Sequence, residues 1–441
     1  MSEEACEPGD GTEGAAAGFD GLWSELADIG RDPRGGYRRF AYTPAELELR
    51  EWFRAAAEAR HLDVHEDRAG NLWAWWGPPS AGEVPAGQRA VVLGSHLDSV
   101  PRGGAFDGPL GVVSSLLAVA ALQRTVARPP RPVAVVAFAD EEGARFGVAC
   151  AGSRLLTGQL APERARALTD DDGVSLAEAL RATGRDPTGL GAQPELLAGI
   201  GAFVELHVEQ GRALVDLQAP VAVGSAIRPH GRWRFDLAGR ADHAGTTRLE
   251  DRDDPMLAQA RLVLAARAAA ERRARRGDAG AVATVGRVRV EPNAVNAIPA
   301  RVQAWLDARA DAEEEVRAMV AELEAALGTP AVEESFSPRV ALHAPLAERV
   351  ARAVAGVSGA PPPRLATGAG HDAGILAAAG IPTAMLHVRN PTGISHAPEE
   401  HAEVADCHRG VVALTAVLAD LVGPGAPGGG QPAADDAGGG R

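Results

Sequence analysis

No lysine occurs among the 441 residues, so all 44 basic side chains are arginine. That absence excludes Schiff-base chemistry and a P-loop, both of which need a lysine amine. Against 59 carboxylates the formal charge is −15. An acidic chain without a sustained basic run is a poor match for a phosphate backbone, so no nucleic-acid partner is expected. Cysteine is scarce too: Cys6, Cys150 and Cys407 are too few and too scattered for a disulfide framework or a CxxC metal site, which fits a reducing compartment. Long apolar runs are missing, since stretches such as 110–122 fall short of the roughly 20 residues that span a bilayer. The opening MSEEACEPGDGTEG is acidic where a signal peptide is basic and then apolar. A cytoplasmic protein with no membrane partner is expected.

What is present reads as globular, with 46% hydrophobic and 23% charged residues. The length exceeds what one core organises, so two domains are predicted. Residues 1–16 and 423–441 are Gly/Pro/Ala-rich and predicted to be disordered tails. Residues 43–60 open on Thr-Pro and have helical apolar spacing. The runs AVVLG (90–94) and VAVVAFA (133–139), separated by an apolar helix over 111–124, form a strand, helix, strand succession. That pattern predicts a mostly parallel α/β sheet with both faces covered. From residue 224 the pattern becomes strand 232–237, helix 255–273, strands 281–290 and 300–308, helix 312–327 and strand 331–336. A βαββαβ run is the mark of a small ferredoxin-like sandwich. A helix over 345–357 and a strand over 382–387 then return to the first pattern. The expected organisation is a catalytic domain in two parts, 17–217 and 340–422, with an inserted domain over 218–339. The arginine-rich ERRARRG (271–277) reads as a solvated helix end.

Several acidic residues and histidines fall where open α/β sheets build their sites, at the carboxyl ends of strands. His96 follows AVVLGS, Asp107 lies in the loop RGGAFDGPLG, and Glu141-Glu142 follow the second strand directly. ELHVEQG sets His207 between Glu205 and Glu209, and GISHAPEE carries His396. Singly these are weak signals. Together they supply the N and O donors that a divalent metal takes, and the lack of a cysteine among them argues for a catalytic rather than a closed structural centre.

The segments GSHLDSVPRGGAFDGPLGV, FADEEGARFGVACAGSRLLTG, ELHVEQG, GRADHAGTT, EPNAVNAIPARVQAWLDAR, TGAGHDAG and NPTGISHAPEE run in one order over about residues 20–420. In that order they resemble the M20 metallopeptidase superfamily, and within it the hydantoinase/carbamoylase amidases. The resemblance implies a centre of two divalent ions, Zn²⁺ or Mn²⁺ with Co²⁺ or Ni²⁺ as alternatives. His96 and His207 would hold one ion, Glu142 and His396 the other, and Asp107 would bridge them. It makes Glu141 the general base, although the residues alone leave Glu141 and Glu142 interchangeable. Asp98 would orient the His96 ring. Adjacent strand-end residues point to opposite sides, which would let Glu142 ligate while Glu141 faces the water.

The same resemblance places His243 as the donor to the oxyanion, reaching a partner subunit's site. Asn296 and Arg309 would hold the substrate carboxylate, Gln210 the ureido group, and Gly370 and His371 would line the pocket. It implies a homodimer acting on a small ureido acid, with allantoate first. N-carbamoyl-L-amino acids, β-ureido acids and a non-catalytic binding member are the alternatives. Two segments depart from the branch. Thr246-Thr247-Arg248-Leu249 stands where Thr-Thr-Pro-Met is common, and Ile227 to Arg232 reads IRPHGR where Gly-Gln and basic residues are usual.

Overall fold

The computed structural model describes residues 18–79 and 84–423. Cys6, the tail predicted over 1–16 and all but the first residue of that over 423–441 lie outside them. In chain order the strands are β1 (Asp63–Glu66), β2 (Leu72–Trp76), β3 (Ala90–His96), β4 (Val133–Phe138), β5 (Ile200–Val208), β6 (Val221–Ile227), β7 (His230–Ala238), β8 (Asp242–His243), β9 (Val282–Glu291), β10 (Ala297–Ile298), β11 (Arg301–Arg309), β12 (Ala331–Ser337), β13 (Val340–Ala341), β14 (Arg364–Thr367) and β15 (Thr383–Val388).

The chain divides into two units. One ends at Ser225 and continues through Leu342–Leu365 and again from Gly370; the other comprises Ala226–Ala341 with Ala366–Ala369. The stretch 218–225, placed in the insert by its sequence pattern, falls in the first unit, where Val221 and Val223 pair antiparallel with Val388 and Leu386 of β15.

In the first unit the strands run β1-β2-β4-β3-β5-β15-β6. The central four are parallel, while β1, β2 and β6 are antiparallel to their neighbours. Every residue of β3 and β4 is buried, so these strands have no solvent face and need cover on both sides. On one side Val91, Leu93, Val135, Val204 and Leu206 join a core with the helices Pro109–Gln123 and Val404–Val422. On the other, Val92, Phe138, Phe203 and Met385 pack with Leu156 and Leu376. Each fully buried leucine contributes about 1.5–3 kcal/mol. Helix Pro109–Gln123 is apolar on all faces, which confines it to the interior. Its buried Ser115 hydroxyl donates to the Gly111 carbonyl at 2.7 Å, so the polar atom is satisfied.

The second unit contains β7, helix Pro255–Arg275, β9, β11, helix Glu313–Leu327 and β12, with the antiparallel order β12-β7-β11-β9. Along β11, Val302, Ala304, Leu306 and Ala308 are 0% exposed and face the helices, whereas Gln303, Trp305 and Asp307 alternate onto the other face. This is the βαββαβ sandwich that the residue pattern predicts. A short side ladder joins β8 to β10, pairing His243 with Ala297. Among the described residues no helix is long and apolar enough to cross a membrane.

Candidate active site

The parallel strands β4, β3 and β5 lie side by side and deliver their carboxyl ends together. β3 ends on His96, opposite Phe138 of β4. His207 is the penultimate residue of β5. Asp107 occupies the loop between β3 and helix Pro109–Gln123, and His396 the loop between β15 and helix Val404–Val422. Gly108 makes the approach possible. Its φ is +86°, and a Cβ there would stand 2.5 Å from the His96 ring.

The Asp107 carboxylate divides between two groups. Oδ1 lies 3.3 Å from His96 Nε2 and 3.2 Å from His207 Nε2. Oδ2 lies 3.5 Å from His396 Nε2, which is itself 3.5 Å from Glu142 Oε2. The first trio is wholly buried, while the second opens to solvent through His396, whose side chain is 50% exposed. His96 Nδ1 is 3.1 Å from the Asp98 carbonyl oxygen and His207 Nδ1 2.8 Å from that of Val208. A carbonyl only accepts, so both rings carry a proton on Nδ1 and turn Nε2 toward the trio, where loss of the Nε2 proton frees a lone pair for a cation. Neither Nε2 has a hydrogen-bond partner, although both are buried. Donors about 2.0–2.1 Å from a tetrahedral ion stand roughly 3.4 Å apart, close to the separations found here. These residues fit a divalent cation in each trio.

Electrostatics agree. Burial pushes the carboxyls of Glu141 and Glu142 well above the usual range, and nearby carboxylates, Asp372 for the first and Asp107 for the second, push the same way. Burial would also raise Asp107, but His207 and His96 outweigh it and hold that carboxyl well below its ordinary value. A concentration of buried carboxylates with no lysine to balance it is the setting in which cations bind.

Glu141 and Glu142 are separated by a turn rather than by strand alternation. β4 stops at Phe138, Asp140 has a φ of +52°, and the two glutamates leave the turn in different directions. The turn is held by Asp98, whose Oδ1 and Oδ2 accept the amides of Glu141 at 3.1 Å and Glu142 at 3.0 Å. Asp98 therefore touches the His96 ring chiefly through its carbonyl, and its carboxylate serves the glutamates, because Oδ1 is 3.6 Å from Nδ1. Glu141 Oε2 stands 3.8 Å from His96 Nε2, and Oε1 accepts from the Cys150 thiol at 3.3 Å.

Gln210 Nε2 donates to Asp107 Oδ2 at 2.7 Å, leaving its buried Oε1 without a partner. His371 is buried with its ring edge-on to His207 at 4.5 Å between centroids; burial first, and then His207, hold it well below its ordinary pKa. Gly370 precedes it and is exposed. Three further residues belong to the second unit. His243 is exposed, and its Nδ1 accepts the amides of Gly245 and Thr246 at 3.0 and 3.2 Å, so its proton sits on Nε2. Exposed Asn296 accepts the Ala244 amide through its main chain at 3.0 Å. Arg309 is bound bidentately by Asp307 at 2.7 and 3.1 Å, and donates to the Gly368 carbonyl.

Two residues that shape the site carry no separate signal in the sequence. Glu205, fully buried in β5, accepts the Ser95 hydroxyl at 2.8 Å and the Ala373 amide at 3.1 Å. Glu400 accepts the Phe106 and Asp107 amides at 2.9 and 3.0 Å. The adjacent Glu399 and Glu400 differ only in burial, which the sequence does not display.

A model of peptidase family M20/M25/M40 matches residues 92–420. The chain belongs to this family. It is 37% identical over 409 residues to an N-carbamoyl-L-amino acid amidohydrolase of Geobacillus stearothermophilus, covering 89% of this chain and 96% of that one. With an allantoate amidohydrolase of Escherichia coli strain K12 the identity is 34% over 409 residues, covering 90% and 95%. Among solved structures, an amidase of the hydantoinase/carbamoylase family from Burkholderia vietnamiensis superposes with a TM-score of 0.79 at 30% identity, covering 93% of this chain and 98% of that one. This M20 protein is accordingly a metal-dependent amidohydrolase that cleaves a linear C–N bond.

Proposed function

We propose that this M20 amidohydrolase uses two divalent ions to hydrolyse the ureido group of a small carboxylate, with allantoate as the first substrate. The reading is carried by the divided Asp107 carboxylate, one oxygen toward His96 and His207 and the other toward His396 and Glu142. Nitrogen and oxygen donors without sulfur suit Zn²⁺ or Mn²⁺, with Co²⁺ and Ni²⁺ as alternatives. When bound, such ions polarise the carbonyl and lower the pKa of water toward neutrality.

Glu141 takes the proton of the attacking water and returns it to the leaving nitrogen. The Cys150 thiol on Oε1 leaves Oε2 turned toward His96. The unpartnered Gln210 Oε1 is an acceptor for a ureido N–H. His243, protonated on Nε2, donates to the developing oxyanion. Asn296 and Arg309 bind the substrate carboxylate, while Gly370 and His371 line the pocket. The assembly proposed is a homodimer in the cytoplasm. Exposed Leu257 and Leu264, one heptad apart on helix Pro255–Arg275, support pairing of the second unit.

Hydrolysis of N-carbamoyl-L-amino acids is the second reading, favoured by the 37% identity to the Geobacillus enzyme. Ammonia release from allantoate, N-carbamoyl-L-amino acids and β-ureido acids, each with Zn²⁺, Mn²⁺, Co²⁺ or Ni²⁺, separates the two. Rapid turnover of N-carbamoyl substrates with allantoate untouched overturns the first choice. Inertness toward all three with metal bound overturns both substrate readings.

A further inference from the structure

We propose that Glu400 is the positioning residue that holds together the outer of the two cation positions, and that it acts selectively on that position. The inference rests on the two-ion reading above. Glu400 is 5% exposed, and its carboxylate ties together two segments remote in the chain. Oε1 accepts the Phe106 and Asp107 amides at 2.9 and 3.0 Å. Oε2 accepts the Ser395 hydroxyl at 3.1 Å, and Ser395 Oγ also reaches Asp107 Oδ2 at 3.3 Å. One side chain thus fastens the loop that presents Asp107 to the loop that presents His396. Gly104 leaves the space: a Cβ there would fall 2.3 Å from both Glu400 Cβ and Oε1.

The inner trio does not depend on this tie in the same way. His96 and His207 lie on neighbouring strands, with ring orientations set by the carbonyls of Asp98 and Val208. Asp107 is anchored a second time by the buried helix that begins at Pro109. His396 sits on a loop at a φ of +57°, and its distance to Asp107 Oδ2 depends on how the two loops are joined. Residues that orient ligands from behind typically change metal affinity about 10–100-fold when removed.

The test titrates metal-free wild type, Glu400→Ala and Glu400→Gln with Zn²⁺ alone by calorimetry, with bound metal counted by elemental analysis. Wild type takes up two ions. Glu400→Ala keeps the first at close to wild-type affinity and weakens the second about 10–100-fold. Glu400→Gln stays near wild type, because its amide oxygen accepts both backbone N–H groups and its nitrogen donates to Ser395. Two ions at wild-type affinity in folded Glu400→Ala, or equal weakening of both, overturns the inference and leaves the two-ion reading standing. Uptake of fewer than two ions by wild type overturns both. Should Glu400→Ala fail to fold, Ser395→Ala decides: it severs the Oε2 tie together with the Ser395–Asp107 contact while leaving Glu400 on the Phe106 and Asp107 amides, and an unchanged second affinity there overturns the proposal.

Discussion

Two neighbouring glutamates are given different work by what surrounds them. Glu142 faces His396, and Glu141 faces the inner trio with its far oxygen on a thiol. Exchanging Glu141 for glutamine keeps the shape and removes the carboxylate proposed to accept the proton. Glu141→Gln is expected to retain bound metal and lose roughly 10²–10⁴-fold in kcat, read by steady-state kinetics beside metal analysis; unchanged turnover excludes it as the base. His243→Ala should lower kcat by about 10²–10³-fold without altering metal content, and a parallel loss of metal would make it structural. At Gly108 an added methyl strains the positive φ and meets the His96 ring at 2.5 Å. Gly108→Ala is therefore expected to reduce metal uptake while the far-ultraviolet circular dichroism stays native.

The elements differ in what makes them readable. Strand β11 alternates cleanly, so its inward set could be named in advance, and Leu306 sits at its centre with 0% exposure. Leu306→Ala should destabilise the second unit by about 2–5 kcal/mol, measured by denaturant unfolding. The continuous apolar runs 90–94 and 133–139 were equally legible, and so were the ordered motifs that contain His96, Asp107, Glu141, Glu142, His207 and His396. The antiparallel β2, LWAWW, was not: all five residues are buried, with no alternation to betray a strand. β5 hides for the opposite reason, since Glu205 and His207 look like polar interruptions until their partners are seen. Glu400 was beyond reach because its bonds to Phe106 and Asp107 join positions 294 and 293 residues apart in the chain. Periodicity reports local packing; a carboxylate that spans two distant loops leaves no periodic trace.

At the scale of the whole molecule, buried histidines couple stability to pH. Burial first, and His207 second, hold His387 down at about 3 against an ordinary 6.5. Between those values the unfolded chain binds a proton that the folded chain refuses. The contribution is therefore complete above about 6.5 and is lost as pH falls from there toward 3. Denaturation midpoints should decline over that window, and His387→Leu should flatten the decline; identical slopes would show that His387 takes no part. Metal removal acts on the same balance. Restoring a cation at about 100 times its Kd stabilises the fold by about 2.7 kcal/mol, so Tm should rise with free metal and fall with a chelator.

The donors that meet at Asp107 are drawn from positions 96, 107, 142, 207 and 396. Pairing of β3, β5 and β15 has to bring these positions together before the donors can share a cation, so the centre is expected to be completed late in folding. Interactions absent from the folding transition state leave the forward rate alone and act on the reverse one. The cations are consequently expected to work as a latch. They would leave the speed of refolding from denaturant nearly unchanged, while lengthening the lifetime of the native state against unfolding.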